Sequence, residues 1–322
     1  MGNPGLILGE GDLFGFKINY NQVTESEKSQ VVEAEISQSG DVVPLYNGNI
    51  SETFWRSSSD NVLRKYGYQY DAINRMTYSF YQKPETGNAS TGAYNENVQY
   101  DKNGNITVLD RNGNLDNPFF VIPIDNLEYT YNGNRLMRVN DLSNNPEGFL
   151  DNGYGNTNDD YAYDANGNMT KDANKKITNI VYNHLNLPTE ILFSDGNKIL
   201  YLYNAAGVKV KKNVTISGTT TPTDYQQGFQ YENLKLSFFP HAEGYVKVTD
   251  EIYYNYVFNY TDHLGNIRSS WTYDDKAGGL KIMEESHYYP FGLKHKMYNV
   301  QQFVFVTPVS YTHLRAHETS LH

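Results

Sequence analysis

"YDANGNMT", Tyr163 to Thr170, is the stretch on which the reading of this 322-residue chain turns. Asp164, Asn166 and Asn168 alternate as oxygen ligands do in a calcium loop. An EF-hand counted from Asp164 needs Gly at its sixth place and Glu at its twelfth, where this chain has Met169 and Lys175. Counting from Asp101 gives Ile106 and Asn112. Both frames fail twice. The other reading is a hairpin corner, in which short polar side chains and a Gly satisfy a tight turn.

Working outward, the same grammar recurs. Units begin at Tyr46, Tyr70, Tyr100, Tyr131, Tyr163, Tyr182, Tyr203 and Tyr260, at intervals of 24, 30, 31, 32, 19, 21 and 57 residues. An alternating run ends on Tyr, a polar corner often containing Asn-Gly follows, and a second alternating run leaves it. Gly104, Gly167 and Gly207 each stand four residues after the Tyr. Asn-Gly tolerates the positive φ of primed two-residue hairpin turns, so such turns are expected here. No segment keeps an apolar stripe at helical spacing. The fold class expected is all-β: repeated hairpins forming a long curved or spiral sheet, each Tyr ring turned inward with a hydroxyl seeking a partner. The outermost strands should expose raw edges. Leu150–Asp160 and Thr215–Asp224 lack alternation and read as surface loops, with Asp151, Asp159 and Asp160 solvated.

Composition narrows the function. There are 29 Tyr and no Cys, so neither a disulfide framework nor a thiolate metal site exists. The net charge of -11 argues against nucleic acid, and Lys209, Lys211 and Lys212 read as one solvated strand face. No apolar run reaches the roughly 20 residues of a membrane span, and no signal peptide is visible. His263, His287 and His295 lack a zinc-site motif and read as surface or partly buried histidines. There is no GxSxG elbow. Glu284 and Glu285 adjoin on a strand, so they point to opposite faces and read as a solvated acidic pair. Arg268 is expected to pair with Asp262 across the hairpin, fixing that corner as a structural brace. No metal, cofactor or catalytic residue is expected.

The Tyr-Asp/Asn units resemble the YD repeats of the bacterial RHS family. The likeness is most specific at "DHLGNIR", Asp262 to Arg268, which holds His263, Gly265 and Asn266, and at "YYPFG", Tyr288 to Gly292, which holds Tyr289, Pro290 and Phe291. These resemble the RHS repeat-associated core, and the similarity runs from about Leu13 to about Asn299. It implies a spiral sheet that closes into a hollow shell, with a variable effector after the core. It divides the chain into a YD-repeat region, 1–257, and the start of a core, 258–300. The family's further Gly- and Tyr-rich stretch is absent after "YYPFGLKHKMYN". "VSYTHLRAHET", Val309 to Thr319, looks like translated sequencing adapter, so 309–322 is set aside as a non-native tail.

The function expected is a non-catalytic section of a secreted or surface shell, whose partner is its own missing C-terminal effector. The alternative is a carbohydrate-binding surface module in which exposed Tyr, Trp55 and Trp271 stack on cell-surface glycans. A β-propeller hydrolase is a third reading, opposed by the uneven intervals.

Overall fold

The computed structural model describes residues 6–24, 42–87, 89–117, 120–153, 157–275 and 278–296, with side chains undescribed at 114–117. The expected tail, 309–322, and the end of the expected core lie outside them. Among the described residues there are 21 strands and no helix, so no helix is long and apolar enough to cross a membrane.

The first sheet has eight strands: β1 (Phe14–Asn19), β2 (Glu52–Ser57), β3 (Arg64–Tyr70), β4 (Met76–Gln82), β5 (Glu96–Tyr100), β6 (Ile106–Asn117), β7 (Phe120–Asn132) and β8 (Arg135–Asp141). The second has thirteen. They are β9 (Tyr161–Tyr163), β10 (Met169–Asp172), β11 (Ile177–Tyr182), β12 (Pro188–Phe193), β13 (Lys198–Tyr203), β14 (Lys209–Ile216) and β15 (Thr219–Gln226). There follow β16 (Phe229–Glu232), β17 (Lys235–His241), β18 (Gly244–Thr249), β19 (Tyr253–Thr261), β20 (Ile267–Asp274) and β21 (Gly279–Glu285). Spatial order equals chain order in both sheets, and every pairing is antiparallel. The expected all-β hairpin architecture is therefore found, as two open sheets.

Six corners share one geometry: Asp71–Arg75, Asp101–Asn105, Asp164–Asn168, Asn183–Leu187, Asn204–Val208 and Asp262–Asn266. In each, the first amide donates to the fifth carbonyl and the fourth amide donates to the first carbonyl. The first residue's Oδ1 accepts the third and fifth amides. Only the fourth residue has positive φ: Asn74, Gly104, Gly167, Asn186, Gly207 or Gly265. Lys102 and Asn103 do not, so these are unprimed turns followed by one left-handed residue, and the ladder register shifts beside the corner. The expectation of primed Asn-Gly turns is corrected here. A left-handed position is needed only at Gly104, and Asn103 sits where most residues fit. Primed geometry does occur at Ser217–Gly218, Gln227–Gly228 and Asn233–Leu234, where both central residues have positive φ.

The repeated tyrosines form a hydroxyl ladder. Tyr70 donates to the Ile50 carbonyl (2.9 Å), Tyr100 to Met76 (2.7 Å) and Tyr131 to Ile106 (2.8 Å). Tyr163 then donates to Leu136 (2.7 Å), Tyr182 to Met169 (2.7 Å) and Tyr203 to Pro188 (2.9 Å). The acceptors Met76, Ile106, Met169 and Pro188 are each the first residue after one of these corners. Each unit thus ties the backbone of the one before, and Tyr163 carries the ladder from the first sheet to the second. These rings are half-buried rather than fully inward.

Other expectations need correction. Thr215–Asp224 is no loop: Thr215 and Ile216 end β14, and Thr219–Asp224 pair back with it. Thr is β-branched and suits a strand without apolar alternation. Asp160 is buried, and its Oδ2 accepts the Val139 amide at 2.9 Å.

Two buried clusters form the core. One joins Phe14, Trp55, Tyr66, Tyr81, Tyr94, Ile124 and Tyr289; the other joins Val98, Leu109, Leu127, Val139 and Tyr161. The first brings a residue of the YYPFG motif into the heart of the N-terminal sheet.

Candidate functional site

The two motifs singled out from the sequence meet at that core. Arg268 leaves β20 beside the Asp262 corner, and its Nη1 lies 3.4 Å from Asp262 Oδ2. The brace is present, but both side chains are buried, so this is no exposed pair. Arg268 Nε donates to the Ser286 carbonyl (3.1 Å). Its guanidinium lies 4.9 Å from the Trp55 ring centroid, with Phe14 and Phe16 also nearby. Burial lowers its pKa, and Asp262 opposes that.

His287 and Glu285 complete the polar centre. His287 Nδ1 is 3.3 Å from Arg268 Nη2, and its Nε2 is 2.6 Å from Glu285 Oε1. An arginine only donates, so Nδ1 accepts and Nε2 carries the proton toward the carboxylate. Ser57 and Ser59 donate to the other Glu285 oxygen at 2.6 and 2.7 Å. Burial pushes the His287 pKa down to about 4, with Glu285 opposing and Arg268 adding to the fall. Burial raises the Glu285 carboxyl, but bonds from His287, Ser57 and Ser59 outweigh it and hold it at about 2. The expected solvated acidic pair is therefore corrected: Glu284 is exposed, but Glu285 is turned inward against β2. The expected surface histidines are corrected for His287 and His295, both buried; His263 is exposed and stacks on Phe16.

YYPFG is a further corner of the common geometry. Tyr289 N donates to Leu293 O, Gly292 N donates to Tyr289 O (both 2.8 Å), and Gly292 has φ 86°. Pro290 occupies the position where a fixed φ suits this turn. Tyr stands where the other corners have Asp or Asn, so the third amide has no acceptor of its own. Glu96 of β5 supplies it: Phe291 N donates to Glu96 Oε2 at 3.2 Å. Glu96 Oε1 accepts Arg111 Nε (2.6 Å), and Arg111 Nη1 reaches Asp125 Oδ2 (3.0 Å). Burial raises the Glu96 carboxyl against the pull of Arg111. Tyr289 donates to the Asn112 carbonyl (2.6 Å), and Tyr288 makes a further ladder bond to Ile267 (3.1 Å). His295 stacks on Tyr94 at 4.1 Å, and its Nε2 is 2.9 Å from the Tyr66 hydroxyl. Burial and the nearby His287, Arg268 and Arg64 push its pKa well down.

The structure thus brings together Asp262, Arg268 and Tyr289, while Tyr70, Tyr100, Gly104, Tyr131, Tyr163, Gly167, Tyr182, Tyr203 and Gly207 are spread along the corners. Pro290, Phe291 and Gly292 lie on the rim of the cluster, and Gly265 and Asn266 shape the Asp262 corner. Sequence reasoning missed Ser57, Tyr66, Glu96, Arg111 and the inward Trp55. Glu96 in β5 and Ser57 in β2 carry no local signal, because their partners lie 195 and 228 residues away. Chemically, Ser57 donates to a carboxylate and not to an imidazole, so the geometry of an activated nucleophile is not formed there. Among the described residues, no three of His, Asp and Glu gather closely enough to hold a metal ion.

No family model and no curated protein sequence matches this chain. Solved structures that share part of its course at low identity include three toxin-complex structures. The TcdB2-TccC3-TEV crystal structure is 14% identical with TM-score 0.49, over 81% of this chain and 15% of that one. The TcdB2-TccC3-Cdc42 crystal structure is 14% identical with TM-score 0.48, over 77% and 14%. The Photorhabdus luminescens Tc holotoxin pore is 14% identical with TM-score 0.46, over 76% and 14%. This chain therefore spans about 15% of the length of the first of these.

Proposed function

We propose that this chain is a section of an RHS/YD-repeat shell, a wall that encloses and helps deliver an effector carried C-terminal to it. The observation that carries this reading is the hydroxyl ladder, which from Tyr70 to Tyr203 ties each hairpin to the backbone of the one before and crosses from the first sheet to the second. The return of residues 285–296 onto β2–β6 supports it further, because it fixes the outgoing chain to the wall. In this reading 1–257 is wall, 258–300 begins the core that hands over to the effector, and the protein works outside a bacterial cell or on its surface. The buried cluster holds strands and acts on no substrate.

The test joins this chain to its own downstream reading frame and measures protease cleavage of the downstream segment. Protection relative to the same segment expressed alone is expected. Equal cleavage rates would overturn enclosure.

The glycan alternative loses Trp55, which is 1% exposed. It keeps one favouring observation: Tyr254, Tyr256 and Tyr260 stand about half exposed on one face of β19, beside Phe258 stacked on Trp271. Glycan-array binding that disappears on Tyr256→Ala would favour it.

A further inference from the structure

A second buried polar group lies on β1–β3, outside the motif cluster. Asn19 is directly opposite Glu52, and Glu52 is directly opposite Gly67. Lys65 stands two residues from Gly67, so all three side chains project from one face. Lys65 and Glu52 are 2% and 0% exposed at the side chain, and Asn19 is likewise buried. Lys65 Nζ lies 2.9 Å from Glu52 Oε1, and Asn19 Nδ2 donates to Glu52 Oε2 at 2.9 Å. Thr24 adds its amide to Oε2 (2.9 Å) and its hydroxyl to both oxygens (2.9 and 3.0 Å). The Phe54 ring lies beside the group, with Lys65 Nζ 5.9 Å and Lys17 Nζ 5.4 Å from its centroid. A primary amine and a primary carboxamide from different strands are thus held on the two oxygens of one dry carboxylate.

We propose that Lys65 and Asn19 join in an intramolecular isopeptide bond, with Glu52 relaying the protons. A buried ion pair carries a heavy desolvation cost. Passing one proton from the Lys65 ammonium to Glu52 along their hydrogen bond leaves a neutral amine beside a neutral acid. The amine lone pair attacks Asn19 Cγ, forming the Nζ–Cγ bond, and the Cγ–Nδ2 bond breaks. Glu52 gives its proton to the departing nitrogen and takes one from the attacking nitrogen. The sum is ammonium plus carboxamide giving a secondary amide plus ammonium ion, with no change of oxidation state. Holding both reactants on one base in a water-poor site is what such a reaction needs. The bond would tie β1, the edge of the first sheet, across β2 to β3. In a chain without cysteine it would be a covalent brace of another kind.

The test is denaturing mass spectrometry of the soluble, purified chain followed by tryptic mapping. The expected result is a mass lower by one ammonia, no cleavage after Lys65, and a branched peptide carrying both Asn19 and Lys65. Glu52→Gln and Lys65→Arg should each restore the unshifted mass. A succinimide at an Asn-Gly pair also loses ammonia, and either variant can fail to fold. The branched peptide from the wild-type chain is therefore decisive. Recovery of Asn19 and Lys65 in separate linear peptides overturns the proposal.

Discussion

Two stretches of this chain make hairpins by different means. From β3 to β14 the corners at Asp71, Asp101, Asp164, Asn183 and Asn204 are each cradled by an Asp or Asn side-chain oxygen, and each unit's tyrosine bonds the preceding unit's backbone. From β14 to β18 three corners are two-residue turns with paired positive φ values. Neither of the two buried clusters draws a residue from Lys209–Thr249. The first design couples neighbours; the second closes each hairpin locally. Cohesion in this molecule therefore comes from long-range ties on top of strand pairing, and those ties concentrate in the first sheet.

The largest test of that contrast is Trp55→Ala. It empties a site touched by Tyr66, Tyr81, His287 and the Arg268 guanidinium, and large aromatic deletions of this kind cost about 3–5 kcal/mol. Chemical denaturation should show that loss, whereas Phe229→Ala, on a half-exposed ring of β16, should cost far less. Equal effects would break the comparison.

Arg268→Ala should cost about 3 kcal/mol, since it leaves Asp262 buried without its cation. Lys211→Ala, which removes an ion pair with Asp224 at the more exposed β14–β15 hairpin, should cost under about 1 kcal/mol. Melting curves of both variants check the ranking.

Acid should weaken the first region before the second. His287 and His295 have folded pKa values below the ordinary value, so the unfolded chain binds more protons beneath pH 6.5. Stability is then complete above that pH and falls by roughly 1.4 kcal/mol per pH unit for each imidazole as pH drops. For His287 the fall ends near pH 4. Glu285, whose pKa is depressed, adds a loss only below its unfolded value and through about 2. The hydrogen-exchange protection factors of residues 285–296, corrected for the intrinsic rate at each pH, should fall between pH 7 and pH 4.5, and His295→Gln should flatten the dependence. Unchanged protection would contradict the burial of these rings.

The smallest effect belongs to a single rung. Tyr131→Phe removes the bond to Ile106 and should cost about 1 kcal/mol, while Tyr253→Phe, an exposed residue of β19, should cost nothing measurable.

Much of this fold is legible in the sequence because hairpin grammar is local. Tyr163 and Asp164 declare their roles within eight residues, and the absence of helical spacing is visible anywhere. The turn type is harder to read. Asn-Gly taken alone implies a primed pair, and only the five-residue frame that begins at Asp164 shifts the left-handed position to the Gly. Thr215–Asp224 escapes a search for alternation because strand formation there follows from β-branching. The buried cluster is legible only in part. Arg268 and Asp262 lie six residues apart, but Ser57 meets Glu285 across 228 residues, and nothing local signals that meeting.

Glu96 lends the YYPFG corner the acceptor that its own first residue lacks. A corner built from Asp can close as soon as its five residues leave the ribosome; this one meets its carboxylate 195 residues upstream. The last hydrogen bond of the motif therefore waits on β5, while its two backbone bonds are local. Synthesis order favours that bond, since β5 and its Arg111 partner emerge long before Phe291. A chain whose β5 is out of place leaves the Phe291 amide without this acceptor.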